Sequence, residues 1–234
     1  GRDLFLYDTH PAKGYTDDPS RADIIFICVP TPRKPDGGAD TGIVTSVVDA
    51  IGGQKIVVIK STVPPGTTEL LQSTYPQHTL VVNPEFLTEK NAWNDFLYPD
   101  RQIVGFIPSS ESGRQEASRI LRLLPEAEFM SPVVAGDGAD IAISATEAEF
   151  IKYAGNIFLS RKITFANALA MMAEHFGADY EHIRAGMAAD ARIGASHLDV
   201  AHGGYRGFGG YCFPKDLAAL IADLVGMAAE KAAT

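Results

Sequence analysis

Five short runs of apolar, largely β-branched residues punctuate the first half of this chain: LFLY (4–7), IIFICV (24–29), IVVI (56–59), TLVV (79–82) and IVGF (103–106). Near-continuous apolar runs of this length suit strands covered on both faces, as in a parallel sheet. Between them, 41–51, 66–74, 88–96 and 111–123 have the length and composition of helices. Strand–helix alternation of this kind folds as an α/β doubly wound sheet. From Thr146 to Phe176 the pattern changes to one long helix, with Phe150, Ile151, Phe158, Leu159, Ala166, Leu169, Met172 and Phe176 at helical spacing and Gly177 as its C-cap. A helix over 179–188, a glycine-rich loop and a helix over 214–230 follow. The expected architecture is a Rossmann-like parallel sheet over 1–140 and an all-α domain built on the long helix over 141–234, divided near the GDGAD segment.

The opening of the chain constrains this further. LFLYD ends in Asp8 and resembles the second strand of a dinucleotide-binding unit, where the acidic residue accepts hydrogen bonds from the adenosine ribose. The G-x-G-x-x-G turn that belongs about 20 residues upstream, and the strand before it, are expected to be missing. Only THPAKGYTDDPSRAD separates LFLYD from IIFICV, and its two prolines and glycine make it a poor crossover between adjacent parallel strands. The two runs therefore flank an empty central slot or pair with each other.

Composition excludes some partners. A net charge of -9 argues against nucleic acid, which needs a basic face. No apolar run approaches the roughly 20 residues of a membrane span, and no signal peptide is expected. Two cysteines, Cys28 and Cys212, point to a reducing, cytoplasmic setting rather than a disulfide framework. Cys28 reads as a small core residue and Trp93 as packing. The six histidines show no metal-ligand spacing, and His197 and His202 read as solvated loop residues.

The strongest chemical signal is GFGGYCFPKD, 207–216. Its glycines allow a backbone to approach a ligand closely, and Phe213-Pro214 opens a helix. Cys212 then sits near a helix N-terminus, whose partial positive charge suits a nucleophilic sulfur; a structural cysteine beside a glycine turn is the bland alternative. Lys152 and Asn156 lie four apart on one face of the long helix, as site residues or as a solvated stripe. VPTP (29–32), KSTVPPGTT (60–68) and NPEFLTEK (83–90) each follow an apolar run, where doubly wound sheets bind ligands.

In this order, VPTP, KSTVPPGTT, NPEFLTE, FLYPDR, EFIKYAGNIFLSRK, DARIG and GFGGYCFPKD resemble the UDP-glucose/GDP-mannose 6-dehydrogenase family over nearly the whole chain, most closely its UDP-glucose branch. The resemblance implies an oxidoreductase that converts UDP-glucose to UDP-glucuronate with two NAD, an activity of polysaccharide biosynthesis. Cys212 would be the nucleophile, forming a thiohemiacetal and then a thioester. Lys152 and Asn156 would stabilise the oxyanion, Asp216 and Thr62 would position a water, and Glu85 would be the acid/base of thioester hydrolysis. Asp8, Val29, Thr31, Ser61, Glu89 and Lys215 would bind NAD. Phe86, Leu87, Arg192 and the loop Gly207, Phe208, Gly209 and Gly210 would hold the nucleotide sugar, although an Arg after a helix serves equally as a surface charge.

Measured against the family, the chain is expected to lack both the N-terminal glycine fingerprint and the C-terminal nucleotide-sugar domain, and so to bind NAD weakly. The alternatives are an inactive relic that keeps the helical half as a dimerisation module, or a dehydrogenase of GDP-mannose or UDP-N-acetylmannosamine. The apolar surface of the 146–176 helix implies a homodimer.

Overall fold

The computed structural model describes residues 3–110, 112–134, 140–202, 204–210 and 212–232. Parts of the GDGAD segment and Tyr211 of the glycine-rich motif thus lie outside the described residues, as does the side chain of His202. The chain divides into two compact units, one of residues 1–32 and 40–152, the other of 33–39 and 153–234.

The first unit is an α/β, Rossmann-like layer structure. Strands β1 (Ile24–Ile27), β2 (Ile56–Ile59) and β3 (Thr79–Val82) form a parallel sheet in that order. The register aligns Ile24, Ile56 and Thr79. The crossovers contain helices α1 (Gly42–Ala50) and α2 (Thr67–Thr74). Successive side chains of a strand point to opposite faces, and here both faces are covered. Val57, Ile59, Leu80 and Val82 pack with Val44, Val48 and Leu71 of the crossover helices. Val58 and Val81 pack on the other side with Ala117, Ile120 and Leu121 of helix α4 (Gly113–Leu121). Each fully buried Val, Ile or Leu in such a layer contributes about 1.5–3 kcal/mol, which is why these runs are apolar throughout rather than alternating.

Beyond β3, a 3₁₀ turn at Glu89–Asn91 leads into helix α3 (Ala92–Leu97). Strand β4 (Arg101–Ile103) then pairs in parallel with β5 (Phe129–Ser131). Gly105 exchanges two backbone hydrogen bonds with Val82, of 2.9 and 2.7 Å, so the stretch after β4 lies beside β3. Two two-residue strands, β6 (Val133–Val134) and β7 (Asp140–Ile141), pair antiparallel. Helix α5 (Ala145–His175) begins in this unit, and the division between the two units falls within it.

The second unit is helical: the rest of α5, α6 (Tyr180–Ala188) and α7 (Cys212–Ala232), with a small hairpin of β8 (Ala201–His202) and β9 (Tyr205–Arg206). Gly177, at φ 66°, ends α5 as its sequence suggests; the Ala178 N–H donates to the Ala173 carbonyl in a Schellman arrangement. The Asp179 side chain caps α6 through the Glu181 N–H at 2.8 Å. The segment 33–39 also belongs here: Ala39 shares an apolar cluster with Tyr153, Ile157, Ala219 and Leu220.

Four expectations are corrected. LFLY is not a sheet strand. Residues 6–17 close on themselves, with Asp8 N–H donating to Tyr15 O and Asp17 N–H to Leu6 O, both at 3.0 Å, leaving Leu4, Leu6 and Tyr7 exposed. LFLY and IIFI therefore do not pair, and β1 has no strand partner on its outer edge among the described residues. On that edge Cys28 is exposed rather than core. Trp93 is 75% exposed, stacked only loosely on Phe96 at 6.4 Å. His197 is half-buried against Phe213, ring centroids 5.7 Å apart, and its Nδ1 is buried rather than solvated.

Candidate active site

The carboxyl ends of β1, β2 and β3 carry the three loops that the sequence singles out, and each is built from short cross-loop hydrogen bonds. The Ser61 hydroxyl donates to Val29 O at 2.7 Å, and the Thr31 hydroxyl donates to Thr62 O at 2.7 Å. Both hydroxyls are buried, so they stitch VPTP to KSTVPPGTT and fix the backbone that carries Val29 and Thr62. Asn83, the first residue of the third loop, donates from Nδ2 to Ile103 O at 2.8 Å and accepts from Lys60 Nζ at 2.9 Å.

Glu85 has each oxygen occupied. Oε1 accepts from the N–H groups of Phe86 (2.8 Å) and Leu87 (3.2 Å), and Oε2 lies 3.2 Å from Lys60 Nζ. Lys60 had no role in the sequence reading although it opens KSTVPPGTT. It lies at the carboxyl end of β2 between the neighbouring strand ends, where it meets both Asn83 and Glu85. Although Cys28 is exposed on the open edge of β1, the protein on its other side partly desolvates the thiol and pushes it up, against the pull of Lys60. Two cations stand over the Phe86 ring, the Arg101 guanidinium 4.1 Å from its centroid and Lys152 Nζ 5.7 Å. Lys60, Glu85, Phe86, Leu87 and Arg101 line one cleft of this unit. Arg101 also had no sequence assignment, standing at the end of FLYPDR. Glu89 begins the exposed 3₁₀ turn after the third loop.

Asp8 lies in the terminal hairpin. Its carboxylate accepts from His10 N–H at 2.8 Å and lies 3.6 Å from Lys13 Nζ. The hydrogen bond from His10, and to a lesser degree Lys13, hold it below the usual carboxylate range. It is therefore an ionised acceptor at neutral pH.

In the second unit the residues that the sequence picked from α5 and α7 meet. Asp216 is 1% exposed and engaged at both oxygens: Asn156 Nδ2 donates at 2.6 Å and Lys215 Nζ donates at 2.5 Å. Cys212 is the first residue of α7 and is exposed, one turn before Asp216. Phe213 turns to the other side, against His197 and against the edge of Phe208 at 6.4 Å. The glycines Gly207 and Gly210 take φ of 110° and 78°, values that only glycine adopts without strain, so the loop before Cys212 needs them. Arg192 stands apart from this network: its guanidinium is 89% exposed and holds Asp190 at 2.6 Å.

Two matches with family models cover these two groups of residues, Asp8 excepted. Residues 10–123 match the NAD binding domain of the UDP-glucose/GDP-mannose dehydrogenase family, and residues 146–231 match its central domain. The chain belongs to the UDP-glucose/GDP-mannose dehydrogenase family. A UDP-glucose 6-dehydrogenase of Pseudomonas aeruginosa is 39% identical over 224 residues, 90% of this chain and 45% of its own length. One of Rickettsia bellii is 37% identical over 215 residues, 88% of this chain and 46% of its own length. The chain thus spans under half the length of these relatives. Among solved structures, a UDP-glucose dehydrogenase of Pyrobaculum islandicum aligns with a TM-score of 0.73 at 34% identity, over 89% of this chain and 48% of its own. A GDP-mannose dehydrogenase of Pseudomonas aeruginosa aligns at 0.62 and 28%, over 88% of this chain and 48% of its own.

The cofactor of the matched domain is NAD, and the residues present suit it. Parallel strands release three loops at their carboxyl ends, the usual seat of a nucleotide, and Asp8, in the hairpin before β1, carries an ionised carboxylate. Among the described residues no group of three His, Cys, Asp or Glu could hold a metal ion, and no helix is long and apolar enough to cross a membrane.

Proposed function

We propose that this chain carries the chemistry of a nucleotide-sugar 6-dehydrogenase, oxidising the CH2OH of UDP-glucose to a carboxylate through Cys212. The observation that carries the proposal is the α7 start: an exposed Cys212 followed one turn later by a buried Asp216 that is bonded to Asn156 and Lys215. A buried carboxylate with both oxygens engaged is costly to keep for packing alone. NAD, when bound, supplies the hydride acceptor.

Each residue then takes the role that the family resemblance gives it. Cys212 Sγ attacks the carbonyl carbon and holds it covalently, as thiohemiacetal and later as thioester. The Lys152 ammonium faces the negative charge that develops on the oxygen. Asn156 spends one N–H on Asp216 and has a second for the same oxygen. Thr62 and Asp216 orient water. Glu85, fixed by two backbone N–H groups and Lys60, transfers the proton in thioester hydrolysis. Asp8, Val29, Thr31, Ser61, Glu89 and Lys215 line the cofactor path. Phe86, Leu87, Arg192 and the loop 207–210 hold the nucleotide sugar. A free Cys212 thiol requires a reducing compartment, taken here as the cytosol.

Phe158, Phe165 and Met172 are exposed at spacings of seven along α5, which aligns them as one stripe, and the exposed Phe176 directly follows the last residue of the helix. A second copy of this chain would cover the stripe, making a homodimer.

Calorimetric titration with NAD, with and without UDP-glucose, followed by turnover assays, tests the proposal. Saturable binding near one per chain and a turnover abolished in Cys212→Ser are expected. Absent binding of both ligands would instead favour a non-catalytic module.

A further inference from the structure

Gly66 stands at the N-cap of helix α2, and its φ of 90° and lack of a side chain leave the first turn without a local cap. The cap comes from 83 residues away. Glu149 Oε2 accepts from Gly66 N–H at 2.6 Å, and Oε1 accepts from Thr68 N–H at 2.9 Å and from the Thr68 hydroxyl at 2.6 Å. The Glu149 side chain belongs to the first turns of α5 and is 2% exposed. An ordinary Ser or Asp N-cap in extended backbone needs no distant carboxylate, whose burial is expensive, but the φ of 90° at position 66 favours glycine there. What a local cap cannot supply is a cross-link between the KSTVPPGTT loop and α5.

That cross-link joins two groups of the proposed chemistry. On the loop side, Thr62 is held from in front by the Thr31 hydroxyl on its carbonyl. From behind, it is joined to Gly66 through Val63, Pro64 and Pro65, two of which have a fixed φ. On the helix side, Lys152 follows Glu149 by three residues, on the neighbouring position of the same face, with its Nζ 5.7 Å from the Phe86 ring. The start of α5 is itself anchored: Ala145 N–H donates to Phe106 O at 2.7 Å.

We propose that Glu149 is a positioning residue, which fixes the Thr62 loop against the turn of α5 that carries Lys152. The proposal rests on the 6-dehydrogenase function and acts through Lys152 and Thr62 without touching substrate.

The test is a double-mutant cycle on this chain, with NAD and UDP-glucose, comparing the parent, Glu149→Gln, Lys152→Ala and the double variant. Glu149→Gln keeps the shape but turns an amide toward N–H donors. It is expected to lower kcat by on the order of a hundredfold, the scale of a 1 Å misplacement of a catalytic group, with KM for both ligands little changed. In the Lys152→Ala background the same substitution should cost less than about twofold, because coupled residues are not additive. An equal loss in both backgrounds, or an unchanged kcat, overturns the proposal. Should Glu149→Gln not fold, Thr68→Val removes one of the three hydrogen bonds and should show the same pattern in milder form. Should the parent turn over no nucleotide sugar, the dehydrogenase function fails separately, and hydrogen exchange decides the cross-link. Loss of protection by more than about tenfold at Gly66 and Thr68 in Glu149→Gln, with α5 unchanged, supports it; unchanged protection overturns it.

Discussion

Asp216 shows how much a single buried charge commits its neighbours. With Asn156 on one oxygen and Lys215 on the other, its removal takes the carboxylate of a buried ion pair from Lys215 and an acceptor from Asn156. Asp216→Ala should therefore destabilise the fold by roughly 3–5 kcal/mol, seen as a lower urea midpoint, in addition to any loss of turnover. Glu149 makes a different prediction. Burial pushes its carboxyl up to about 7 from the ordinary 4.5, against the hydrogen bonds from Thr68 and Gly66, with nearby Glu69 adding to the rise. Between those two pH values the folded chain binds the proton and the unfolded chain does not, so stability falls as pH rises through the window and levels off above it. The fall is up to roughly 3 kcal/mol. Glu149→Gln has no proton to lose there, so its stability curve should lack this slope; superimposable curves for the two proteins would refute the assignment.

At the scale of elements, the closest fit is between the stretch after β4 and the start of α5. A Cβ on Gly105 would stand 2.7 Å from Ala148 Cβ, 2.7 Å from Ser144 O and 2.9 Å from Ala145 Cα. The stretch after β4 cannot give way without losing the Gly105–Val82 bonds, nor the start of α5 without losing the bond from Ala145 N–H to Phe106 O. Gly105→Ala should cost about 1–3 kcal/mol, read from thermal or urea melts followed by circular dichroism. The elements with strong local signals were legible in the sequence: β1, β2, β3, both crossover helices, α4, α6 and the whole of α5 fall within a few residues of where periodicity and glycine put them. LFLY fails because apolar content is a property of the segment, whereas strand pairing requires a neighbour, and this segment bonds to residues 15–17 instead. Strands β5 to β7 are two or three residues long, too short for any period to register. In the candidate site, Cys212 stood out through the glycines before it and the Phe-Pro after it, Asn156 through its place four residues after Lys152, and Asp216 only through the family resemblance. Glu149 and Lys60 were not legible, since their partners lie 83 and 23 or more residues away and only the fold brings them together.

For the whole molecule, the stripe Phe158, Phe165 and Met172 makes the state of association the decisive quantity. Sedimentation of the parent chain should show a dimer, and a Phe158→Glu, Phe165→Glu pair should yield a folded monomer; a monomeric parent would remove the stripe's assigned role. The segment 33–39 bears on how such experiments can be built. It interrupts the α/β unit in sequence yet packs with Tyr153 and Ala219. No single cut in the gene can therefore release the α/β half intact, because any fragment ending before α7 carries a peptide whose partners have been discarded. Dissection into separately expressed halves needs a deletion or a replacement loop between Pro32 and Asp40, and the two units are inherited, expressed and degraded as one piece of chain unless that loop is rewired.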